Sequence, residues 1–279
     1  MISEKQRRCA VVGLPIAHSL SPTLHRAAYA EVGLAWEYDA CEVSGPALRE
    51  FLDRLDDTWR GLSLTMPLKR TVVPLVDELS ERARLAQAAN TVLFEEGRRR
   101  GDNTDIPGAM AAIRERTGDP VRRAVILGGG ATATSSLLAL TELGCEEVTL
   151  VVRDVSRAAE TLAAAARHPS GPQVRVAGFD VRPVAADILV STIPAAAQLG
   201  SGVRFAESVP VVFDVIYDPW PTPLARFASQ EGRTLVAGLD LLVHQAGLQF
   251  TLMTGLASAP LDVMRTAGEQ ALADRTDTR

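Results

Sequence analysis

Cysteine is scarce. Cys9, Cys41 and Cys145 are scattered, odd in number and never in a CxxC spacing. That excludes a disulfide framework and a cysteine metal site, and it fits a reducing cytoplasm. No apolar stretch reaches the roughly 18 residues that a membrane span needs. The opening, Met1-Ile2-Ser3-Glu4-Lys5-Gln6-Arg7-Arg8, is charged with no long apolar run behind it, so no signal peptide is expected. Excess positive charge is missing too: the net charge of −5 argues against nucleic acid or an anionic membrane as the main partner. Low-complexity segments and fixed-period repeats are absent.

What is there is an ordinary globular composition, 47% apolar and 23% charged, over 279 residues, enough for two domains. The run Gly61-Leu62-Ser63-Leu64-Thr65-Met66-Pro67-Leu68-Lys69 reads as a strand over Trp59–Met66. Pro67, with no N–H to donate, stops its ladder. Lys69 is thereby delivered to a strand's carboxyl end, where open α/β sheets bind ligands. A solvated surface lysine is the plain alternative. Downstream, Gly101-Asp102-Asn103-Thr104-Asp105 offers a carboxylate on a polar turn, able to pair with that amine. A Lys–Asp pair beside a carbonyl can pass a proton while a nicotinamide moves hydride.

Before it, Cys9–Gly13 is a buried strand, and Ser21 with Pro22 reads as N-cap and first helical residue of a helix running to Gly33. Ser19 and Ser21 at that N-terminus suit an anion, a plain cap being the other reading of Ser21. His18 and His25 match no metal spacing and are read as structural. Trp36–Val43 is a strand, Pro46–Leu55 an amphipathic helix, and Asp77–Ala89 a helix with Ser80 as cap. Val92-Leu93-Phe94 with the basic turn Arg98-Arg99-Arg100 forms a hairpin.

From Val121 the pattern changes. A strand to Leu127, the turn Gly128-Gly129-Gly130-Ala131-Thr132-Ala133, a helix from Thr134 to Leu143 and a strand Val148–Val152 make GxGxxA within a βαβ unit. That arrangement brings backbone N–H groups up to a pyrophosphate. Strands over Asp187–Ser191, Val209–Phe213 and Arg233–Ala237 alternate with helices, as a Rossmann-like sheet requires. Leu239–Leu256 and Pro260–Leu272 are helical, apolar on one side, and expected to return to the first domain. About 20 residues past the glycine turn stands Arg153, an arginine suited to a ribose 2′-phosphate. Asp154 beside it would favour a free 2′-hydroxyl unless it caps the next helix; Arg157 follows one turn later.

These motifs resemble the shikimate dehydrogenase family. Gly13-Leu14-Pro15-Ile16-Ala17-His18-Ser19-Leu20-Ser21-Pro22-Thr23-Leu24-His25 is similar to its opening motif, and Ser63–Lys69 to its catalytic-lysine motif. Ala88-Ala89-Asn90-Thr91, Gly101–Asp105, Gly128–Ala131, Asp214-Val215-Ile216-Tyr217 and Gly238-Leu239 through Gln245-Ala246 follow in the family's order. The resemblance implies a two-domain α/β fold: a substrate domain over 1–105, a Rossmann-like doubly wound NADP domain over 106–238, and C-terminal helices over 239–279. It implies Lys69 and Asp105 as the catalytic pair, and Ser19, Ser21, Thr65, Asn90, Asp105, Tyr217 and Gln245 around the substrate. Toward the cofactor it implies Gly128, Gly129, Gly130, Ala131 and Thr132 at the pyrophosphate and Arg153 at the adenosine ribose phosphate. Val215, Gly238 and Thr192 fall on the cofactor side as well, and Glu81 falls where the family has a further acidic residue there.

The chain departs from the family at four places: Arg26 and Ser63 for asparagines, Val152-Arg153-Asp154 for Asn-Arg-Thr, and Ser191-Thr192-Ile193-Pro194 for Asn-Ala-Thr-Ser. The implied activity is NADP-dependent reduction of 3-dehydroshikimate to shikimate, with no metal, by a cytoplasmic monomer or homodimer. The rivals are an NAD-dependent quinate/shikimate dehydrogenase of catabolic type and a non-catalytic sensor of a related metabolite; intact Lys69 and Asp105 speak against the sensor.

Overall fold

The structure, a computed structural model, describes residues 6–200 and 202–277. The charged opening through Lys5 lies outside the described residues. The chain divides into two compact units, one of Met1–Thr104 with Leu242–Arg279, the other of Asp105–Leu241.

The first unit is built on a six-stranded sheet of β1 (Arg8–Gly13), β2 (Glu37–Glu42), β3 (Trp59–Leu64), β4 (Glu78–Leu79), β5 (Thr91–Glu95) and β6 (Arg98–Asp102). Their order is β2-β1-β3-β5-β6-β4. β1 runs parallel to both its neighbours, and β3, β5 and β6 form an antiparallel meander. The apolar run Cys9–Val12 is what a central parallel strand requires, since helices cover both its faces. Between these strands lie α1 (Ser21–Glu31), α2 (Leu48–Asp53), α3 (Leu68–Thr71) and α4 (Glu81–Ala86). Leu48 and Leu52 of α2 and Leu68 of α3 pack with Ala10, Val12, Leu62 and Leu64 into one core.

The second unit holds β7 (Arg123–Leu127), β8 (Glu147–Val151), β9 (Gln173–Ala177), β10 (Ile188–Ser191), β11 (Val211–Asp214) and β12 (Thr234–Val236). Their order, β12-β11-β10-β7-β8-β9, is all parallel, and it reverses between β7 and β10. This is the doubly wound Rossmann order, with its ligand crevice at the carboxyl ends of those two strands. Helices α5 (Asp105–Arg116), α6 (Ala131–Glu142), α7 (Ala159–Arg167), α8 (Val203–Ala206) and α9 (Pro223–Gln230) accompany it. α10 (Gly238–Thr254) begins in this unit and belongs to the first from Leu242 onward; α11 (Leu261–Asp277) packs on α1. Among the described residues no helix is long and apolar enough to cross a membrane.

The two-domain α/β class and the Rossmann-like sheet are as expected; several local assignments are not. The α1 N-cap is Leu20, not Ser21, and the helix stops at Glu31, two residues before Gly33 adopts a positive φ of 70°. The ladder of β3 ends at Leu64, before Pro67 is reached, and Lys69 sits in the short α3. The helix expected over 77–89 is a strand, β4, followed by α4; Ser80 does cap it, its hydroxyl accepting from Ala83 N at 3.2 Å. Gln87, left-handed at φ 47°, ends it early. Arg98–Arg100 are not the turn but the strand β6, because the reversal falls at Glu96-Gly97, both at positive φ, and Glu95 then pairs with Arg98. Asp105 opens α5 instead of lying on a turn, and α6 starts at Ala131, three residues ahead of Thr134.

Candidate active site

In the first unit, the carboxyl ends of β1 and β3 lie side by side. Thr65 N donates to Val12 O and Leu14 N to Met66 O, each at 2.9 Å, so the two signature segments are stitched together. A side chain on Gly13 would collide with Thr65 and come within 2.8 Å of Met66 O; glycine alone permits this approach. Ser19 and Ser21 follow from the first segment. Ser21 is 5% exposed, and its N–H donates to Ser19 Oγ at 3.3 Å. The pair therefore stands at the start of α1, where the backbone N–H groups and helix dipole favour negative charge.

Lys69, half-buried in α3, is fixed by its own backbone: its carbonyl accepts from Ala89 N at 2.7 Å. The next residue, Asn90, is 2% exposed and joins two more strands, its N–H donating to Asp102 O and its carbonyl accepting from Leu64 N. The Asn90 side-chain amide donates to Thr104 Oγ1 at 2.9 Å and to Gln245 Oε1 at 3.2 Å. Thr65, Lys69, Asn90 and Gln245 are thus held by one hydrogen-bonded frame in one unit.

That frame rests on a buried carboxylate whose partner no motif revealed. Asp102, buried, accepts from Arg82 at 2.7 Å on each carboxylate oxygen, from Ser80 Oγ at 2.6 Å and from Asn103 N at 2.7 Å. Burial pushes its carboxyl up, but the Arg82 guanidinium and Ser80 outweigh it and hold the group below its ordinary value. His25 is wholly buried and stacked on Tyr38 with ring centroids 4.1 Å apart; burial lowers its pKa to about 3, leaving the ring neutral. Arg26, the departure from asparagine, ties α1 to β2 through Tyr38 O and Asp39.

In the second unit, the switch point is assembled from strand ends. Gly128, at φ 111°, leaves no room for a Cβ against Thr192 Oγ1, and that hydroxyl donates to Leu127 O at 2.8 Å. A Cβ at Gly130 would meet nothing within 4 Å, so the turn presents open backbone ahead of α6, with Ala131 and Thr132 in its first turn. Val215 N donates to Ser191 O at 3.1 Å, and Gly238 fits so closely under Val215 O that no side chain is tolerated. Gly128, Thr192, Val215 and Gly238 therefore occupy the carboxyl edge of four neighbouring strands. Tyr217 lies half-buried in the loop after β11. Buried Asp214 anchors that loop by accepting from Thr222 Oγ1 at 2.5 Å and Gln198 Nε2 at 2.9 Å. Arg153 and Arg157 are exposed beyond β8, while Asp154 turns aside to accept from Ser156 N at 2.9 Å. An open glycine turn at a helix start beside two guanidiniums fits a dinucleotide carrying an extra phosphate. Asp105, 6% exposed, belongs to this unit; Glu81, exposed in α4, belongs to the other. Among the described residues no group of three His, Cys, Asp or Glu is arranged to hold a metal ion.

Residues 11–92 match the family model of the shikimate dehydrogenase substrate binding domain, and residues 238–267 that of the shikimate 5'-dehydrogenase C-terminal domain. The chain is 36% identical over 272 residues to shikimate dehydrogenase (NADP(+)) of Methanopyrus kandleri, covering 92% of this chain and 93% of the relative. The crystal structure of Mycobacterium tuberculosis shikimate dehydrogenase superposes with a TM-score of 0.87 at 38% identity, over 95% of this chain and 99% of that one. The shikimate 5-dehydrogenase of Thermus thermophilus in complex with NADP(H) and shikimate gives 0.82 at 31% identity, over 96% and 100%. Identity at this level over nine-tenths of both chains, with the signature segments joined as described, has one consequence: the chain belongs to the shikimate dehydrogenase family.

Proposed function

We propose that this chain is an NADP-dependent oxidoreductase that interconverts 3-dehydroshikimate and shikimate, on the route toward chorismate and aromatic amino acids. The observation that supports it best is the first unit's frame, which sets a lysine, two serines and two buried amides around one sheet edge. Ser19 and Ser21 bind the ring carboxylate; Thr65, Asn90, Asp105 and Gln245 meet the ring hydroxyls, and Tyr217 lies around the substrate. Gly128–Thr132 receive the pyrophosphate, Arg153 the 2′-phosphate, and Thr192, Val215 and Gly238 line the nicotinamide side; Glu81 is a further cofactor-side residue. Bound NADPH supplies the hydride to the C3 carbonyl carbon. Lys69, as an ammonium, gives its proton to the carbonyl oxygen and is reprotonated from water, while Asp105 orients it. Domain roles follow: substrate on 1–105 with the C-terminal helices, cofactor on 106–238. The three free thiols suit a reducing cytoplasm.

Two predictions arise here. Replacing Ser19 and Ser21 together by Ala raises the KM for shikimate by about 5- to 150-fold, the loss of two hydroxyl hydrogen bonds at about 1–3 kcal/mol in all, and leaves that for NADP nearly unchanged. An unmoved shikimate KM reduces the serines to a purely structural helix start. Arg153→Ala weakens NADP selectively and spares turnover with NAD, because a guanidinium contact to phosphate is lost. The assay that tests the whole reading follows nicotinamide absorbance with NADP and NAD, each with shikimate and quinate. Fastest turnover is expected with NADP and shikimate; preference for NAD would hand the ribose site to Asp154.

A further inference from the structure

Gln249 lies on α10 one turn beyond Gln245 and is 1% exposed. Its partners fix which way its amide faces. The Asn90 carbonyl only accepts, so it is Nε2 that meets it at 3.0 Å, and the same nitrogen donates to Thr91 Oγ1 at 3.0 Å. Oε1 then faces Ser63, whose hydroxyl donates to it at 2.7 Å. With its proton so used, Ser63 Oγ accepts from the Tyr38 hydroxyl at 2.5 Å.

Direction passes on through Thr91. Its hydroxyl donates to Asn90 Oδ1 at 2.9 Å, where Thr104 N–H, a donor only, also arrives at 2.8 Å. Two donors on Oδ1 turn the Asn90 Nδ2 toward Thr104 Oγ1 and Gln245 Oε1. Gln245 in turn points its Nε2 at Leu242 O, 3.0 Å away. From Tyr38 to Gln245 each group has one orientation, and a buried network of this kind is cooperative.

We propose that Gln249, acting through Thr91, is a positioning residue that sets the amide orientation of Asn90 and Gln245 for the substrate's hydroxyls. The proposal rests on the functional reading above. Gln249 itself meets no reacting atom. Its removal takes from the Thr91 hydroxyl its donor and frees that hydroxyl to turn away from Asn90 Oδ1, so that Thr104 alone holds the Asn90 amide and, through it, the Gln245 amide.

The test uses two variants of the full chain. Gln249→Leu keeps the bulk and deletes both ends of the amide. It is expected to raise the shikimate KM about tenfold or more, with the NADP KM unchanged. Gln249→Glu adds a titratable group in the same place. Protonated, its single O–H can still donate to Thr91 Oγ1 or to Asn90 O; ionised, it donates to neither and makes Thr91 donate to it instead of to Asn90. Its kcat/KM for shikimate should therefore fall as pH rises through a new ionisation that the wild type lacks. Burial raises a carboxyl's pKa and brings that step toward neutral pH; the titratable groups facing it are the neutral His25 ring and, through Ser63, the Tyr38 hydroxyl. A wild-type shikimate KM in Gln249→Leu, or a pH profile of Gln249→Glu that overlays the wild type, overturns the proposal. So does a parallel rise in both KM values with a lowered Tm, the mark of a merely structural role. A wild-type protein inactive on shikimate fails differently: it removes the functional reading and the positioning role with it.

Discussion

Lys69→Ala is expected to fold, to hold both substrates, and to turn over at least about 100-fold more slowly, the worth of one positioned general acid. Folding should survive because the backbone at this point is held without the side chain: the Lys69 carbonyl accepts from Ala89 N, and buried Leu68 carries the packing. Binding should survive because the anion site proposed at Ser19 and Ser21 and the Asn90–Gln245 frame are built from other residues. The loss thus falls on kcat, with KM for shikimate and NADP little changed. Steady-state kinetics on wild type and variant, with a thermal melt of each, decide it. A variant turning over near the wild-type rate would take Lys69 out of the chemistry.

Arg82→Ala should cost about 3 kcal/mol of folding stability. That is the low end of the range for breaking a buried ion pair. The low end applies because Arg82 keeps 36% of its side chain in water while Asp102 keeps 5%. The loss should depend on pH in a definite sense. Asp102 is held below its ordinary value in the folded chain, so above about pH 4 the carboxylate is ionised in both states and its whole benefit is present. As pH falls through the lower, folded value, the folded chain takes up the proton and the benefit is lost. Urea unfolding at pH 7 should separate the two proteins widely; near pH 3 the gap should narrow. A gap that stays constant down to pH 3 would locate the defect elsewhere, in the packing of the arginine stem.

The second unit was readable because its strands are continuous apolar runs, and buried parallel strands need nothing else. β9 escaped notice: Gln-Val-Arg-Val-Ala at a sheet edge buries only Ala177 fully and looks like coil. α5 was hidden by Pro107 and Gly108, which break helical periodicity near a helix start that tolerates them. In the first unit, motifs supplied the names of Lys69, Asn90 and Gln245 but not what holds them. Arg82 and Asp102 are separated by twenty positions in sequence and share no pattern. Gln249 sits one turn beyond Gln245 in a mainly apolar helix, and the sequence does not distinguish a bridging amide there from a surface one. Hydrogen-bond direction depends on partners that only folding brings together.

The contact between α1 and α11 has a consequence for the protein's birth on the ribosome. At about 5–20 residues per second, α11 is completed roughly 10–50 s after α1 has been made. Throughout that interval the nascent chain carries a helix with no partner on the side that α11 will occupy. The later-numbered parallel sheet, by contrast, has all its strands in hand by Val236 and can condense while the C-terminal helices are still being translated. Synthesis therefore completes the strands of the second unit before the helices that finish the earlier-begun one.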